Sequence, residues 1–242
     1  MTDCSRRELL YRGALLGGGA IAAAPIAGGF FDAAGASEPT APRPTTPQAA
    51  LAQLLAGNRR FASGKVRNPR RDGVRRVETA AGQEPFAMVL TCADSRVPAE
   101  IVFDQGIGDI FVVRVAGNTA EDAVVVGSLE YAVVTFESLV LFVLGHDECG
   151  AVKAAIDVTT KGTSLPGDLP AVVAPILPVV RSVQNVPKDE LLDAATLANV
   201  HQSVQQLSAS PLLAAAIAKG DLLVTGGEYQ LHTGKIKMVE PT

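Results

Sequence analysis

Two apolar stretches of the chain each end in residues that bind metals or act as nucleophiles. Residues 86–91 lead directly into Cys92, and residues 138–144 lead within two positions to His146. Short continuous apolar runs are typical of strands that are buried on both faces of a parallel sheet. Parallel α/β sheets carry their functional sites beyond the carboxyl ends of the strands. The pattern therefore predicts that Cys92 and His146 lie at one edge of such a sheet.

The rest of the chain alternates between strand-like and helix-like patterns. Residues 109–115 and 221–225 predict two further strands, and residues 229–238 predict a hairpin that turns at Thr233 and Gly234. Helical spacing follows over 121–134, 149–158, 189–207 and 211–219. This alternation predicts an α/β fold with a mostly parallel central β-sheet flanked by helices. Residues 48–62 predict an N-terminal helical arm outside the sheet.

Charge excludes several classes of partner. The net charge is only −4 and 48% of the residues are apolar, so neither nucleic acid nor an anionic membrane surface is indicated. The basic run over residues 65–76 is interpreted as a solvated loop.

The first 36 residues have the composition of an export signal. Arg6 and Arg7 precede a weakly apolar segment over 13–31, and Ala34-Gly35-Ala36 supplies the small residues that a signal peptidase needs. The paired arginines resemble a twin-arginine signal, which implies contact with the export machinery and a periplasmic or secreted protein. A retained membrane anchor is the alternative. The predicted organisation is a signal over 1–36, a linker over 37–46 and one domain over 47–242.

The mature chain would keep two cysteines, Cys92 and Cys149, and both belong to motifs that suit a metal. Cys92-x-Asp94-x-Arg96 follows the first apolar run, and His146-x-x-Cys149 follows the second. Two thiolates and one imidazole form a zinc ligand set of the catalytic type, in which a fourth position stays open. Arg96 can hold the Asp94 carboxylate bidentately, so that it stays ionised and off the metal. A second interpretation makes that pair a structural support only.

Four motifs carry a family resemblance, and they lie in a segment of roughly residues 47–240. They are CADSRVPAE (92–100), GDIFVVRVAGN (108–118), GSLEYAV (127–133) and GHDECGAVKAA (145–155). Together they resemble the β-class carbonic anhydrases. The chain departs from the commoner family pattern at Val115 and at GGEYQ (226–230), which could alter the pocket or the subunit contacts.

The resemblance implies a function and a set of residue roles. The function is zinc-dependent reversible hydration of carbon dioxide to bicarbonate and a proton, by attack of zinc-bound hydroxide, with one Zn2+ per chain. It also implies a homodimer or a dimer of dimers, with the substrate pocket at the dimer interface. The implied metal ligands are Cys92, His146 and Cys149, the catalytic pair is Asp94 and Arg96, and the substrate-binding residues are Gln83, Phe111, Ala116 and Tyr131.

Three alternatives remain open at the level of the sequence. The same fold hydrolyses carbon disulfide or carbonyl sulfide in some relatives. A zinc- or bicarbonate-binding protein without turnover is the second, although the Asp94–Arg96 pair speaks against it. A redox dithiol protein that uses Cys92 and Cys149 is the third, and it would leave His146 unexplained. His201 and His232 are available as proton shuttles, but exposed polar side chains are the simpler interpretation of both.

Overall fold

In the computed structural model, which describes residues 42–239, five strands form one sheet. Its strands are β1 (Ala87–Thr91), β2 (Ile110–Arg114), β3 (Val140–His146), β4 (Leu223–Tyr229) and β5 (Ile236–Met238). The order is β2–β1–β3–β4–β5, in which the first four strands are parallel and β5 is antiparallel to β4. The predicted α/β fold with a mostly parallel sheet is confirmed. The predicted signal over 1–36, and the linker as far as residue 41, lie outside the described residues.

Helices flank this sheet, and short side chains cap the longer ones. Thr46 accepts a hydrogen bond from the Ala49 amide at the start of α1, and Asp122 caps α4 through the Val124 amide. Among the described residues, no helix has the length and apolarity that a membrane crossing requires. The helices are α1 (Pro47–Ala62), α2 (Gly73–Glu78), α3 (Ala99–Val102), α4 (Ala123–Phe136), α5 (Gly150–Lys161), α6 (Leu169–Val173), α7 (Leu177–Ser182), α8 (Leu191–Ala209) and α9 (Pro211–Ala218).

The core divides between the two faces of the sheet. On one face, α1 and α3 pack over β1 and β3, and the rings of Phe103 and Phe142 meet edge to face with centroids 5.4 Å apart. On the other face, α4, α8 and α9 cover Met88 and Leu141. A third apolar cluster lies beside the carboxyl edge and includes Cys92 and Cys149. Both faces of β1 and β3 are therefore buried, as their continuous apolar sequences predict.

The predicted hairpin is present, but its first strand is longer than predicted. The short strand predicted over 221–225 continues as β4 to Tyr229, which pairs with Ile236 of β5. Gly226 lies within this strand because α8 crosses it closely: a Cβ there would lie 2.7 Å from Cγ1 of Val200. Gly226 and Gly227 interrupt the apolar pattern, so the sequence alone predicted two separate strands where the structure has one.

Most of residues 65–76 are exposed, as the interpretation of a solvated loop expects, but parts of the run are anchored to the fold. Arg70 donates two hydrogen bonds of 2.7 Å to the buried Asp109 carboxylate, and α2 begins within the run. Asp104, also buried, accepts from the backbone amides of Arg67 and Asn68 and from the Arg60 side chain at 2.6 Å. The run therefore wraps around two buried carboxylates and supplies hydrogen-bond donors and positive charge to them, as their burial requires.

Replacing Gly57 tests how tightly α1 is seated on the segment that follows α3. A Cβ at Gly57 would lie 1.7 Å from the Phe103 carbonyl oxygen, a backbone atom that cannot turn aside. We expect Gly57→Ala to lower the free energy of unfolding by about 1–3 kcal/mol in a urea titration, although alanine ordinarily favours a helix. Gly73→Ala is the control, because nothing lies within 4 Å of its Cβ. Equal stability of the two variants would contradict this packing.

Candidate metal centre

Three buried side chains meet at the carboxyl edge of the sheet. Cys92 follows β1, His146 is the last residue of β3, and Cys149 is the N-cap of α5. Their ligand atoms all lie within 4.8 Å of one another. Two sulfurs and one imidazole nitrogen at this spacing form a set that a single zinc ion accepts. The structure thus brings together the three residues that the two sequence motifs predicted as ligands.

The ring of His146 is oriented so that one nitrogen is available to a metal. Nδ1 lies 2.7 Å from the carbonyl oxygen of Asp147, so this nitrogen carries the proton and donates it. Nε2 is buried and has no hydrogen-bond partner among the described residues. A buried nitrogen lone pair without a partner costs free energy, and a metal ion satisfies it. The donor set and its orientation therefore fit a zinc ion.

The two thiols shift each other's pKa in opposite directions. Hydrogen bonding from the Cys149 thiol outweighs the effect of burial and lowers the pKa of Cys92 to about 4. The pKa of Cys149 rises in turn, because its proton is held by the Cys92 sulfur and the site is buried. Both cysteines are free thiols in the structure. Cys92 is therefore the thiol of the pair that ionises more readily, and metal binding displaces the protons that the two thiols still carry.

Asp94 and Arg96 form an ion pair beside this centre. Two side-chain hydrogen bonds of 2.9 and 2.7 Å join them, and the Arg96 amide donates to the same carboxylate. Hydrogen bonding from the Arg96 guanidinium holds the pKa of Asp94 well below its usual range. One Asp94 oxygen lies 3.8 Å from Nε2 of His146. An ionised acceptor is therefore fixed next to the atom that faces the metal.

Arg114, the last residue of β2, and Gly117, three residues later, also serve the site, and the motifs alone gave them no role. Arg114 donates to the carbonyl oxygens of Cys92 at 3.2 Å and Asp94 at 2.6 Å, so it fixes the loop that follows β1. The Gly117 amide donates to the Cys92 sulfur over 3.4 Å. Both lie within the motif GDIFVVRVAGN (108–118), next to the ligands only because β2 pairs with β1.

The predicted substrate residues lie on β2 (Phe111), in the loop after it (Ala116), on α4 (Tyr131) and ahead of β1 (Gln83). The Phe111 and Tyr131 rings are 6.5 Å apart, and Tyr131 is 52% exposed. Ala116 is exposed directly before Gly117, whereas Gln83 lies exposed ahead of β1 with no side-chain hydrogen bond to a described residue. Only Ala116 thus adjoins a residue that contacts a ligand. The roles of all four in binding substrate stay predictions.

Glu228 is a buried carboxyl that the sequence marked only as part of an unusual strand. It lies on β4 level with Gly145, and its Oε1 atom has no hydrogen-bond partner among the described residues. Burial, together with the charges of Asp193 and Asp147, raises the pKa of Glu228 to about 7, and Lys237 offsets this only in part. A carboxyl in this position is largely protonated below neutral pH.

Comparison with known proteins gives consistent matches. A family model described as carbonic anhydrase matches residues 87–236. The chain is 43% identical over 194 residues to carbonic anhydrase 2 of Mycobacterium tuberculosis, a match that covers 79% of this chain and 92% of that protein. It is 37% identical over 195 residues to a carbonic anhydrase of Mycolicibacterium smegmatis, covering 80% and 94% of the two chains.

Solved structures with a similar fold carry the same description. A β-carbonic anhydrase from Coccomyxa, solved in complex with acetazolamide, superposes with a TM-score of 0.63 at 30% identity over 78% of this chain and 86% of that one. A tetrameric β-carbonic anhydrase from Sordaria macrospora gives 0.64 at 24% identity over 80% and 98%. The second match supports the fold.

The buried carboxyl of Glu228 predicts a particular pH dependence of stability. The unfolded chain releases this proton near pH 4.3 and the folded protein near pH 7, so wild-type stability falls as the pH rises between about those values. We expect Glu228→Gln to stabilise the protein more at pH 8 than at pH 5, by up to about 3 kcal/mol in urea titrations. Glu100→Gln, at an exposed glutamate, is the control. A pH-independent difference for Glu228→Gln would contradict the interpretation.

Proposed function

The chain belongs to the β-class carbonic anhydrase family, and from that membership we propose how its own residues carry out the reaction. The protein is an enzyme that interconverts carbon dioxide and bicarbonate with release or uptake of a proton. One observation carries this conclusion for the chain itself: Cys92, His146 and Cys149 converge in a buried group beside an ionised Asp94.

The three ligand residues suit zinc better than the other common metals. Two thiolates favour a soft ion, and the imidazole completes a set in which an open position remains for water or substrate. A zinc ion bound there would supply a water acidic enough to act as a nucleophile at neutral pH. The burial of all three side chains keeps competing solvent away from the ligand atoms.

Asp94 is the group of the chain that can receive a hydrogen bond from the attacking water. Arg96 keeps the Asp94 carboxyl ionised and fixes its orientation by donating one hydrogen bond to each of its two oxygens. Arg114 donates to the carbonyl groups on either side of Ala93, so two hydrogen bonds set the position of Asp94 relative to Cys92. A carboxylate held in this way orients the water for attack on the carbon of the substrate.

A second copy of the chain would complete the substrate pocket along the free edge of β2. Within the described residues β2 has one neighbour, β1, so its other edge carries unpaired backbone groups. Val124, Tyr131 and Val134 are exposed along one side of α4, which packs against β2. Such a surface suits a homodimer, or a dimer of dimers, in which Gln83, Phe111 and Tyr131 reach the site of the partner. Sedimentation as a monomer would remove this part of the proposal.

Export before function is the second part of the proposal. The arginine pair and the small residues at 34–36 support transport of a folded chain and a mature protein that begins at Ser37. Zinc would then be loaded in the reducing cytoplasm, before Cys92 and Cys149 meet an oxidising compartment. N-terminal sequencing of the exported protein tests this, since a retained Met1 would instead indicate the membrane anchor.

The other functions are less favoured. Hydrolysis of carbon disulfide or carbonyl sulfide requires only the same centre, but the relatives that match most of the chain are named carbonic anhydrases. A protein that binds zinc or bicarbonate without turnover leaves the Asp94–Arg96 pair without a task. A dithiol mechanism leaves the orientation of His146 unexplained.

Stopped-flow carbon dioxide hydration, with zinc measured in the same sample, tests the function. We expect fast turnover at one zinc per chain in residues 37–242 and in the full chain. Cys149→Ser removes a thiolate ligand and should lose both zinc and turnover. Asp94→Asn keeps the ligands, so it should retain zinc while turnover falls by about 10²-fold or more.

The pair of variants separates metal binding from the chemical step. Full zinc without turnover in the wild type, at any pH tested, would contradict the carbonic anhydrase function. Little zinc and an oxidised cysteine pair would contradict the metal centre.

A further inference from the structure

A tight turn at the end of β2 presents a backbone donor to one metal ligand. The Asn118 amide donates to the Val115 carbonyl at 3.0 Å, and this closes the turn. Gly117 within the turn has φ of +79°, a conformation that glycine adopts without strain. In this conformation its N–H points at the Cys92 sulfur. A donor aimed at a thiolate stabilises the negative charge on sulfur.

Two side chains of α8 hold this turn by its carbonyl groups. Nδ2 of Asn199 donates to the Gly117 carbonyl at 2.7 Å, and Oγ of Ser203 donates to the Asn118 carbonyl at 3.0 Å. Asn199 and Ser203 lie four residues apart, so they share one face of the helix, and each is 1% exposed. The helix therefore grips the turn at two successive peptide groups.

The side chain of Asn199 lowers the stability of the fold, which suggests that it is kept for its contact with the turn. Its Oδ1 atom is buried and has no hydrogen-bond partner among the described residues, so half of its amide is unsatisfied. A leucine of similar size would avoid that cost in an apolar interior. What the amide supplies is one short hydrogen bond to the residue that donates to Cys92. Space favours the same arrangement, because a Cβ on Gly117 would lie 2.7 Å from Cδ1 of Ile176.

We propose that Asn199 is a positioning residue for the metal centre, acting through Gly117 on the Cys92 sulfur. Asn199 holds the peptide group that joins Gly117 to Asn118, and this peptide is linked through the Gly117 Cα to the one whose N–H donates to Cys92. The turn closed between Val115 and Asn118 ties the two peptide groups together, so a hold on the first restrains the direction of the second. Without this hydrogen bond the turn relaxes and the Gly117 donor moves away from the sulfur. The buried thiolate then loses one of the groups that stabilise its charge. Ser203 acts one peptide further along and has a weaker effect on the donor. The inference rests on the metal centre of the proposed function.

Metal affinity is the first readout that tests the inference. Partners that orient metal ligands typically contribute 10- to 100-fold to affinity. We expect Asn199→Ala, in the full chain, to bind zinc about 10-fold more weakly than the wild type when the ion is competed away by a chromogenic chelator. Asn199→Leu, which fills the space and removes the unsatisfied Oδ1, should weaken binding similarly while it preserves folding.

A spectroscopic readout separates positioning from general destabilisation. In the cobalt-loaded full chain, the sulfur-to-metal charge-transfer band should move to lower energy in both Asn199 variants, because the sulfur has lost a hydrogen-bond donor. Leu207→Ala is the matched control. It truncates a buried side chain of the same helix, but Leu207 belongs to a core cluster that does not include Cys92 or Cys149. We therefore expect it to lower stability without moving the band.

Each outcome decides between the alternatives. A shifted band with weaker zinc binding in the Asn199 variants, and an unshifted band in Leu207→Ala, supports the inference. An unshifted band and unchanged affinity in a folded Asn199 variant overturns it, as does an equal shift in Leu207→Ala. If neither Asn199 variant folds, Ser203→Ala takes their place, with a smaller shift in the same direction expected and no shift overturning the inference. None of these readouts requires turnover, so a protein without carbon dioxide hydration would contradict the proposed function alone.

Discussion

The parallel pairing of β1 with β3 is the constraint on which the rest of the site depends. Thr91 lies beside Leu144 in the register, which puts Cys92 level with Gly145 and one residue short of His146. A slip of one residue would turn the side chains of the strand that slips to the opposite face of the sheet, where they would meet a different set of helices. The register is therefore fixed by the core, and the metal ligands inherit their positions from it. Cys149 follows because it is the N-cap of α5, which begins four residues after β3 ends.

Charge is then distributed around this edge so that nearly every buried ionic group has a partner. Arg96 holds the Asp94 carboxylate, and Arg114 donates to the backbone carbonyls of Cys92 and Asp94. Further along the sheet, Asp104 and Asp109 are enclosed by a basic segment. Glu228 is the exception within the described residues near the centre, since one of its oxygens has no partner and its pKa lies near neutrality. That carboxyl is tolerated because protonation removes its charge.

The sequence predicted what depends on local pattern. The buried strands, the ligands Cys92, His146 and Cys149, and the Asp94–Arg96 pair all follow from runs of a few residues. Contacts between distant segments were beyond it: the Arg70–Asp109 pair joins residues 39 positions apart, and the Asn199–Gly117 hydrogen bond joins residues 82 apart. Neither has a local signature, because an arginine in a polar stretch and an asparagine in a helix are common in solvated positions. Glycine within β4 hid the length of that strand for a similar reason.

Zinc-edge X-ray absorption spectroscopy on the metal-loaded protein tests the central claim most directly. The account predicts two sulfur neighbours at about 2.3 Å and nitrogen or oxygen neighbours at about 2.0–2.1 Å for each zinc. One nitrogen should show the outer-shell scattering of an imidazole ring, from His146. A shell of nitrogen and oxygen alone, or of four sulfurs, would contradict a centre built from Cys92, His146 and Cys149.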